Sequence, residues 1–325
     1  MKKVLEAGLL LAALSVAAAQ TPAVAQAPKD ALAQANAALQ AGEADRALNL
    51  LSPLPASAES HNLRCRVMFA LERWDEAAGQ CELAVKFDGQ SSEDHMWLGR
   101  ALGERADRAS FLSAYSLGKR VRAEFEEAVK LNPHNAEALA DLGEFYTSAP
   151  GVVGGGTDKA EGVAAQLDKV DPARAHELRG AIAENRKDYG AAEQEFKQAI
   201  AASEHPSFQW MRLGSFYRRR ARLDDMEAAV QSGVKASQKD RRSGVALYNG
   251  ASVLSRGNRN LALAAKMLED YLTGSSKSEE GPAFEAHTRL ARLKAQLGDT
   301  ASAWQERAAA LQLAHDYKPA LGLKF

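Results

Sequence analysis

The sequence is short of most of what an enzyme site or a membrane domain needs. Its 325 residues include two cysteines, ten prolines and four tryptophans, and aromatics make up only 6%. Two cysteines alone do not make a zinc site. Neither the H-E-x-x-H zinc motif nor the G-x-S-x-G nucleophile elbow occurs. An excess of one charge is missing too: 41 basic residues stand against 42 acidic ones, for a net charge of -1. No overall field draws such a chain to nucleic acid or to an anionic membrane. What is left is an alanine-rich chain with few helix breakers, a composition that suits helices packed through small residues.

The exception to the polar character is the N-terminus. Lys2 and Lys3 precede an apolar run from Gly8 to Ala19, and two small-residue patterns follow, Ala17-Ala18-Ala19 and Ala23-Val24-Ala25. This reads as an export leader over residues 1–25, cleaved after Ala25, with Ala19 as the alternative. The run is short for a membrane span, and no cysteine is placed for a lipid anchor. The expectation is a periplasmic chain without stable membrane insertion. An uncleaved N-terminal anchor is the alternative.

The rest is organised around Lys130 to Ala160. Asn132-Pro133 ends one helix, because proline cannot continue it and restrains the residue before it. Leu139, Leu142, Gly143 and Tyr146 then fall at helical spacing, and Ala160 supplies a small residue in the helix that answers. Small residues let the two helices of a hairpin approach closely. The same small pair recurs twelve residues apart at Ala35/Ala47, Cys65/Ala77, Gly180/Ala192, Gly250/Ala262 and Ala291/Ala303. Gly214 has Met226 at that distance, where a small residue is expected. From Gly99 to Val121 there are ten extra residues, and from Gly143 to Ala160 five. These predict enlarged turns near 103–120 and 148–159, on the same rim. A Ser- and Gly-rich linker is expected near 273–282, and a tail in which Tyr317, Leu321, Leu323 and Phe325 cover the end of the core.

Trp210-x2-Leu213-Gly214-x2-Tyr217 and Leu139-x2-Leu142-Gly143-x2-Tyr146 resemble the first helix of the tetratricopeptide repeat, W-x2-L-G-x2-Y. The resemblance covers residues 29–313. It implies an all-α, right-handed α-α superhelix of eight helical hairpins over 26–325. The block from Leu98 to Ala160 is similar to exported bacterial proteins of this kind whose role is undefined, so it implies no particular activity.

In a hairpin folded near Glu72-Arg73, Cys65 and Cys81 face each other. A disulfide is expected, which export makes chemically possible. Two buried thiols are the alternative. The segment Gly151-Val152-Val153-Gly154-Gly155-Gly156 lacks the Gly-Lys-Ser/Thr order of a phosphate loop. It reads as a connection between helices, or as a loop folded over the concave face with Val152 and Val153 in contact. His176 and His287 are expected as core rings. Asp224-Asp225 and Glu279-Glu280 are expected to be solvated. The run Arg218-Arg219-Arg220 with Arg222 reads as a solvated face, or as a patch for an acidic segment or an anionic glycan.

The repeat fold implies that first helices line a concave groove. By register its partner contacts are Arg100, Glu137, Glu144, Glu177, Met211, Ser215, Arg218 and Arg219. The lysine and asparagine clamp for a terminal carboxylate, known in part of the family, is not legible here. The function expected is a non-catalytic scaffold for a protein or peptide, with no cofactor, metal or nucleic acid. The alternative is a glycan-binding helper using Trp97, Phe111, Tyr115 and Trp210 as platforms.

Overall fold

The computed structural model describes residues 23–240 and 244–325, with side chains from Lys29 onward. Most of the expected leader, residues 1–22, lies outside the described residues. Eight antiparallel hairpins follow in order. They pair α1 (Ala23–Ala41) with α2 (Ala44–Leu51), α3 (Ala58–Ala70) with α4 (Trp74–Phe87), and α5 (Ser92–Arg108) with α6 (Phe111–Leu131). Next come α7 (Ala136–Ser148) with α8 (Thr157–Leu167), α9 (Pro172–Asn185) with α10 (Tyr189–Ala202), and α11 (Pro206–Arg219) with α12 (Leu223–Ser237). The last pairs are α13 (Gly244–Gly257) with α14 (Leu261–Thr273) and α15 (Ala283–Gln296) with α16 (Thr300–Leu313), before a short α17 (Lys318–Leu321). No strand occurs among the described residues.

Local signals start these helices where the sequence places them. Asp171 accepts from the Arg174 backbone N–H, and Pro172 follows at a position whose N–H would be unpaired anyway. Asn135, Asp188 and Asp299 cap α7, α10 and α16 in the same way. The small residues then bring the helices together. A Cβ on Gly180 would lie 2.9 Å from the Phe196 ring, and one on Gly99 would collide with the ring of Phe125. The two aromatics are the same element of their repeats, displaced by the ten extra residues of the third hairpin.

Those extra residues do not form a loop. They lengthen α5 to 17 residues and α6 to 21, where α9 and α10 each have 14. Only Ala109 and Ser110 remain between them. At a rise of about 1.5 Å per residue, α6 gains on the order of 10 Å. Its tip carries Phe111, 84% exposed, beside the equally bare Leu112. The extra residues after α7 do form an irregular connection, with a 3-10 turn over Gly151–Val153. Val153 packs on Gly118 of α6, so the two insertions touch, while Val152 is exposed.

One register differs from expectation. Ala262 is exposed, and the buried small residues of α14 are Ala264 and Ala265. Asn258 and Asn260 both adopt positive φ between α13 and α14. The turn has three residues like its counterparts, but α13 runs seven residues past Gly250 where α9 runs five past Gly180, which moves the contact two positions along. Met226 keeps its expected place, because Gly257 of the next hairpin leaves room for its sulfur.

The array closes on itself. α2 touches α16, and a single apolar cluster joins Leu39, Leu51, Val67 and Leu71 to Phe284, Ala314, Tyr317 and Ala320. Polar contacts stitch the same seam. Gln40 Nε2 donates to Glu279 Oε1 (2.9 Å) and Arg66 Nε to Glu279 Oε2 (2.8 Å). Arg73 pairs with Asp316 at 3.2 Å, and Tyr317 donates to Glu72 at 3.1 Å. Glu279 is thus mostly buried, not solvated as expected: its neighbour in space is a buried arginine from the other end of the chain. The 273–282 segment forms part of this closure, since Glu279 belongs to it. Tyr317 is buried as the tail's anchor, but Leu321 is exposed, and Phe325 packs edge-on to Trp304 at 5.2 Å.

Candidate functional site

Closure turns the concave surface into the wall of a lumen. A cavity of about 1110 Å³ lies between the inner faces of α9, α11, α13 and α15. Glu177, Ser215 and Arg218, expected as contacts, line it. Arg212 lines it too and was not foreseen. Its side chain is 67% exposed, yet Glu177, Glu144 and Glu280 all raise its pKa. Those acids come from α9, α7 and the segment before α15. The side chain is thus exposed to the cavity and feels acids from three elements of its wall. The nearest of those acids, Glu177, is 3.9 Å away.

The other expected contacts divide. Glu144 is exposed and has no ion pair among the described residues. Arg100 and Glu137 are spent on each other: Arg100 bonds Asp141 at 2.6 Å and Glu137 at 3.1 Å, and lies 4.7 Å over Trp97. Arg219 is tied to Glu184 at 2.7 Å. Met211 is buried and packs against Gly233 and Gly250, because the small residues of the next two helices open a slot for it, and it also contributes to the cavity wall. In the glycine segment, Gly154 has φ +102° and lies against Arg122, and Gly155 abuts the Ala149 carbonyl. Its geometry is that of a tight connection, with Gly156 N–H donating to Tyr146 C=O at 2.8 Å. Trp97 is buried, with Arg66 and Arg100 over it, so it offers no open platform for a sugar.

The cysteines are joined: Cys65 and Cys81, 16 residues apart, form a disulfide with Cα atoms 5.2 Å apart. The histidines are better ordered than the sequence reading allowed. His61 meets Gln80 at 2.8 Å, His95 meets Glu124 at 2.6 Å, His176 meets Glu195 at 2.7 Å and His287 meets Glu306 at 2.6 Å. Each His sits four residues before the small contact of its first helix and bonds the second helix. His176 and His287 are therefore half-exposed hydrogen-bonding groups, not core rings. The spacing of nineteen residues, twenty-nine where the ten extra intervene, was the signal available. The hydrogen bond to Glu124, partly opposed by burial, raises the pKa of His95.

Among the described residues one trio could offer three ligand atoms to a metal, Asp45, His315 and Asp316 at the seam. Its members already bond one another and Arg73: His315 Nδ1 lies 2.9 Å from Asp45 and Asp316 3.2 Å from Arg73. No helix among the described residues is long and apolar enough to cross a membrane.

No family model matches the chain. It is 25% identical over 295 residues to mouse Superkiller complex protein 3, across 86% of this chain but only 17% of that protein. A thermophilic tetratricopeptide protein of Thermus thermophilus covers 58% of this chain and 98% of its own, at 20% identity and a TM-score of 0.48. A tetratricopeptide protein of Parabacteroides merdae covers 91% and 100% respectively, at 12% identity and a TM-score of 0.42. The fold assignment stands on the chain's own packing: eight hairpins, a small contact in each first helix, and a buried partner from the second. By that packing the chain folds as an all-α solenoid of helical hairpins, similar to tetratricopeptide repeats, and it is bent until its two ends meet.

Proposed function

We propose that the chain is a non-catalytic periplasmic scaffold that holds a protein or peptide segment in its lumen. The observation that carries this is the lumen itself, whose wall holds the largely exposed Arg212, paired only loosely with Glu177 at 3.9 Å. Stacked repeats present side chains from several helices to one extended ligand, and affinity accumulates along it. Because the ring is closed, the ligand enters as a chain end or a narrow loop. The leader-like N-terminus supports export, and the disulfide fits an oxidising compartment.

The test is photocrosslinking in cells from Glu144 and Arg212, with mass spectrometry of what is captured. One protein caught from both positions, and not from the outward-facing Glu82, is the expected result. Equal capture from all three positions would remove the lumen from the proposal.

A further inference from the structure

Two arginines without an acidic partner stand on neighbouring first helices of the lumen wall. Arg218 is in the last turn of α11 and Arg256 in the last turn of α13, and both line the central cavity. The stem of Arg218 reaches across to α13: a Cβ on Gly257 would lie 3.9 Å from Arg218 Cγ. Among the described residues neither guanidinium has a hydrogen bond or an ion pair. Their neighbours on the same rim all do. Arg219 holds Glu184 at 2.7 Å, Arg222 holds Asp225 at 2.6 Å, and Arg259 holds Glu227 at 3.6 Å. Burial, with the adjacent Arg256 and Arg219, pushes the Arg218 pKa below its ordinary value.

Like charges kept together cost stability, and an anion between them removes that cost. Two guanidinium forks are also the donor geometry that best fits a carboxylate or a phosphate. The surroundings choose between these. Glu177, Glu280 and Glu285 line the same cavity. They repel a dianion about twice as strongly as a monoanion. Deeper along α11, the buried Gln209 Oε1 has no hydrogen-bond partner and lines the same cavity, ready to accept from an amide N–H. A carboxylate at the arginines with an amide-bearing chain beyond it describes a peptide.

We infer that Arg218 and Arg256 together receive a carboxylate of the bound segment, so that the lumen selects acidic peptides. This rests on the scaffold reading above and deepens it. The carboxylate comes either from Asp or Glu side chains or from a chain terminus.

The experiment is fluorescence anisotropy on the full mature chain with three labelled peptides of equal length. One is Glu-rich with an amidated end, one is Gln-rich with a free carboxylate end, and one is Gln-rich and amidated. At least one carboxylate-bearing peptide binds more tightly than the neutral one, and which of the two does so identifies the source. Arg218→Gln and Arg256→Gln each weaken that binding by about tenfold or more, since each removes a charged hydrogen bond. Arg222→Gln, on the same rim but ion-paired, leaves it unchanged. Without peptide, Arg256→Gln does not lower the melting temperature, which shows that the loss of binding is not a loss of fold. Equal binding of all three peptides, unchanged binding by the double variant, or no binding below ~1 mM overturns the inference. Unaltered in-cell capture by the double variant would overturn it while leaving the scaffold intact.

Discussion

Two kinds of interface hold this molecule, and they differ in what makes them. Between neighbouring hairpins the contact is repetitive and apolar: a glycine or alanine of one helix receives a ring or branched chain of the next, as Gly143 receives Leu178. Between the first and last hairpins the contact is a single event. It combines an apolar cluster around Phe284 and Tyr317 with charge pairs such as Arg66 and Glu279. The first kind recurs with the repeat and is redundant, whereas the second depends on a few residues that occur once. Damage to the seam should therefore open the ring and leave the hairpins folded, while damage inside a hairpin should do the reverse.

The largest separation of the two is expected from Gly42→Val. Gly42 has φ +72°, and a Cβ there would overlap the Ala283 backbone nitrogen. Positive φ disfavours a β-branched residue, and the clash leaves the seam no room, for a cost of roughly 3 kcal/mol or more. Small-angle scattering should show a larger radius of gyration with unchanged helical circular dichroism. An unchanged radius would mean that closure does not pass through this contact.

Cys65→Ser acts on the other side of the comparison. Losing a bridge across 16 residues costs about 3 kcal/mol in the chain-entropy model. Amide exchange should quicken in α3 and α4 while the radius stays at the wild-type value. If exchange quickens equally at the seam, the two interfaces are not independent.

Glu279→Ala is expected to cost about 2 kcal/mol. It strips the two-pronged partner from Arg66, whose side chain is only 12% exposed, and leaves it one outer pair to Glu93 at 3.0 Å, so the buried charge is under-compensated. Adding Arg66→Met should recover part of the loss, because the under-compensated charge goes too. No recovery in thermal melts would assign the cost to packing instead.

The smallest effect concerns pH. His95 gains its proton more readily folded than unfolded, through Glu124. Its contribution is therefore full below the unfolded value of about 6.5 and fades as pH rises through the higher folded value. The melting-temperature gap between the protein and His95→Gln should be wider at pH 6 than at pH 8.5. A gap that widens with rising pH would reverse the assignment.

Much of the fold was legible because close packing is written in residue size. The Gly180/Ala192 and Ala291/Ala303 pairs needed no structure to be placed, and the cysteines shared a hairpin by the same count. The reading slipped at Ala262, where α13 runs two residues further past its small contact than α9 does, a step that composition does not announce. It slipped at α5 and α6 too, where the ten extra residues were expected to enlarge the turn near 103–120 and helix took them up instead. In the site, register put Glu177, Met211, Ser215 and Arg218 on the inner face, and the cavity wall includes them. Met211 is there while buried, since inner-face and core positions are neighbours on one helix. Arg212 and Arg256 were missed because no local pattern marks which arginines the tertiary structure turns into the lumen.

By itself the sequence determined the helices, their pairing into eight hairpins and the disulfide, since each depends on residues close along the chain. Only the tertiary structure decided that the ends meet and that the groove is a lumen. Curvature is the sum of small rotations at every interface, and the contacts that stop it, from Gln40 to Glu279 and from Arg73 to Asp316, join residues with no periodic relation to one another.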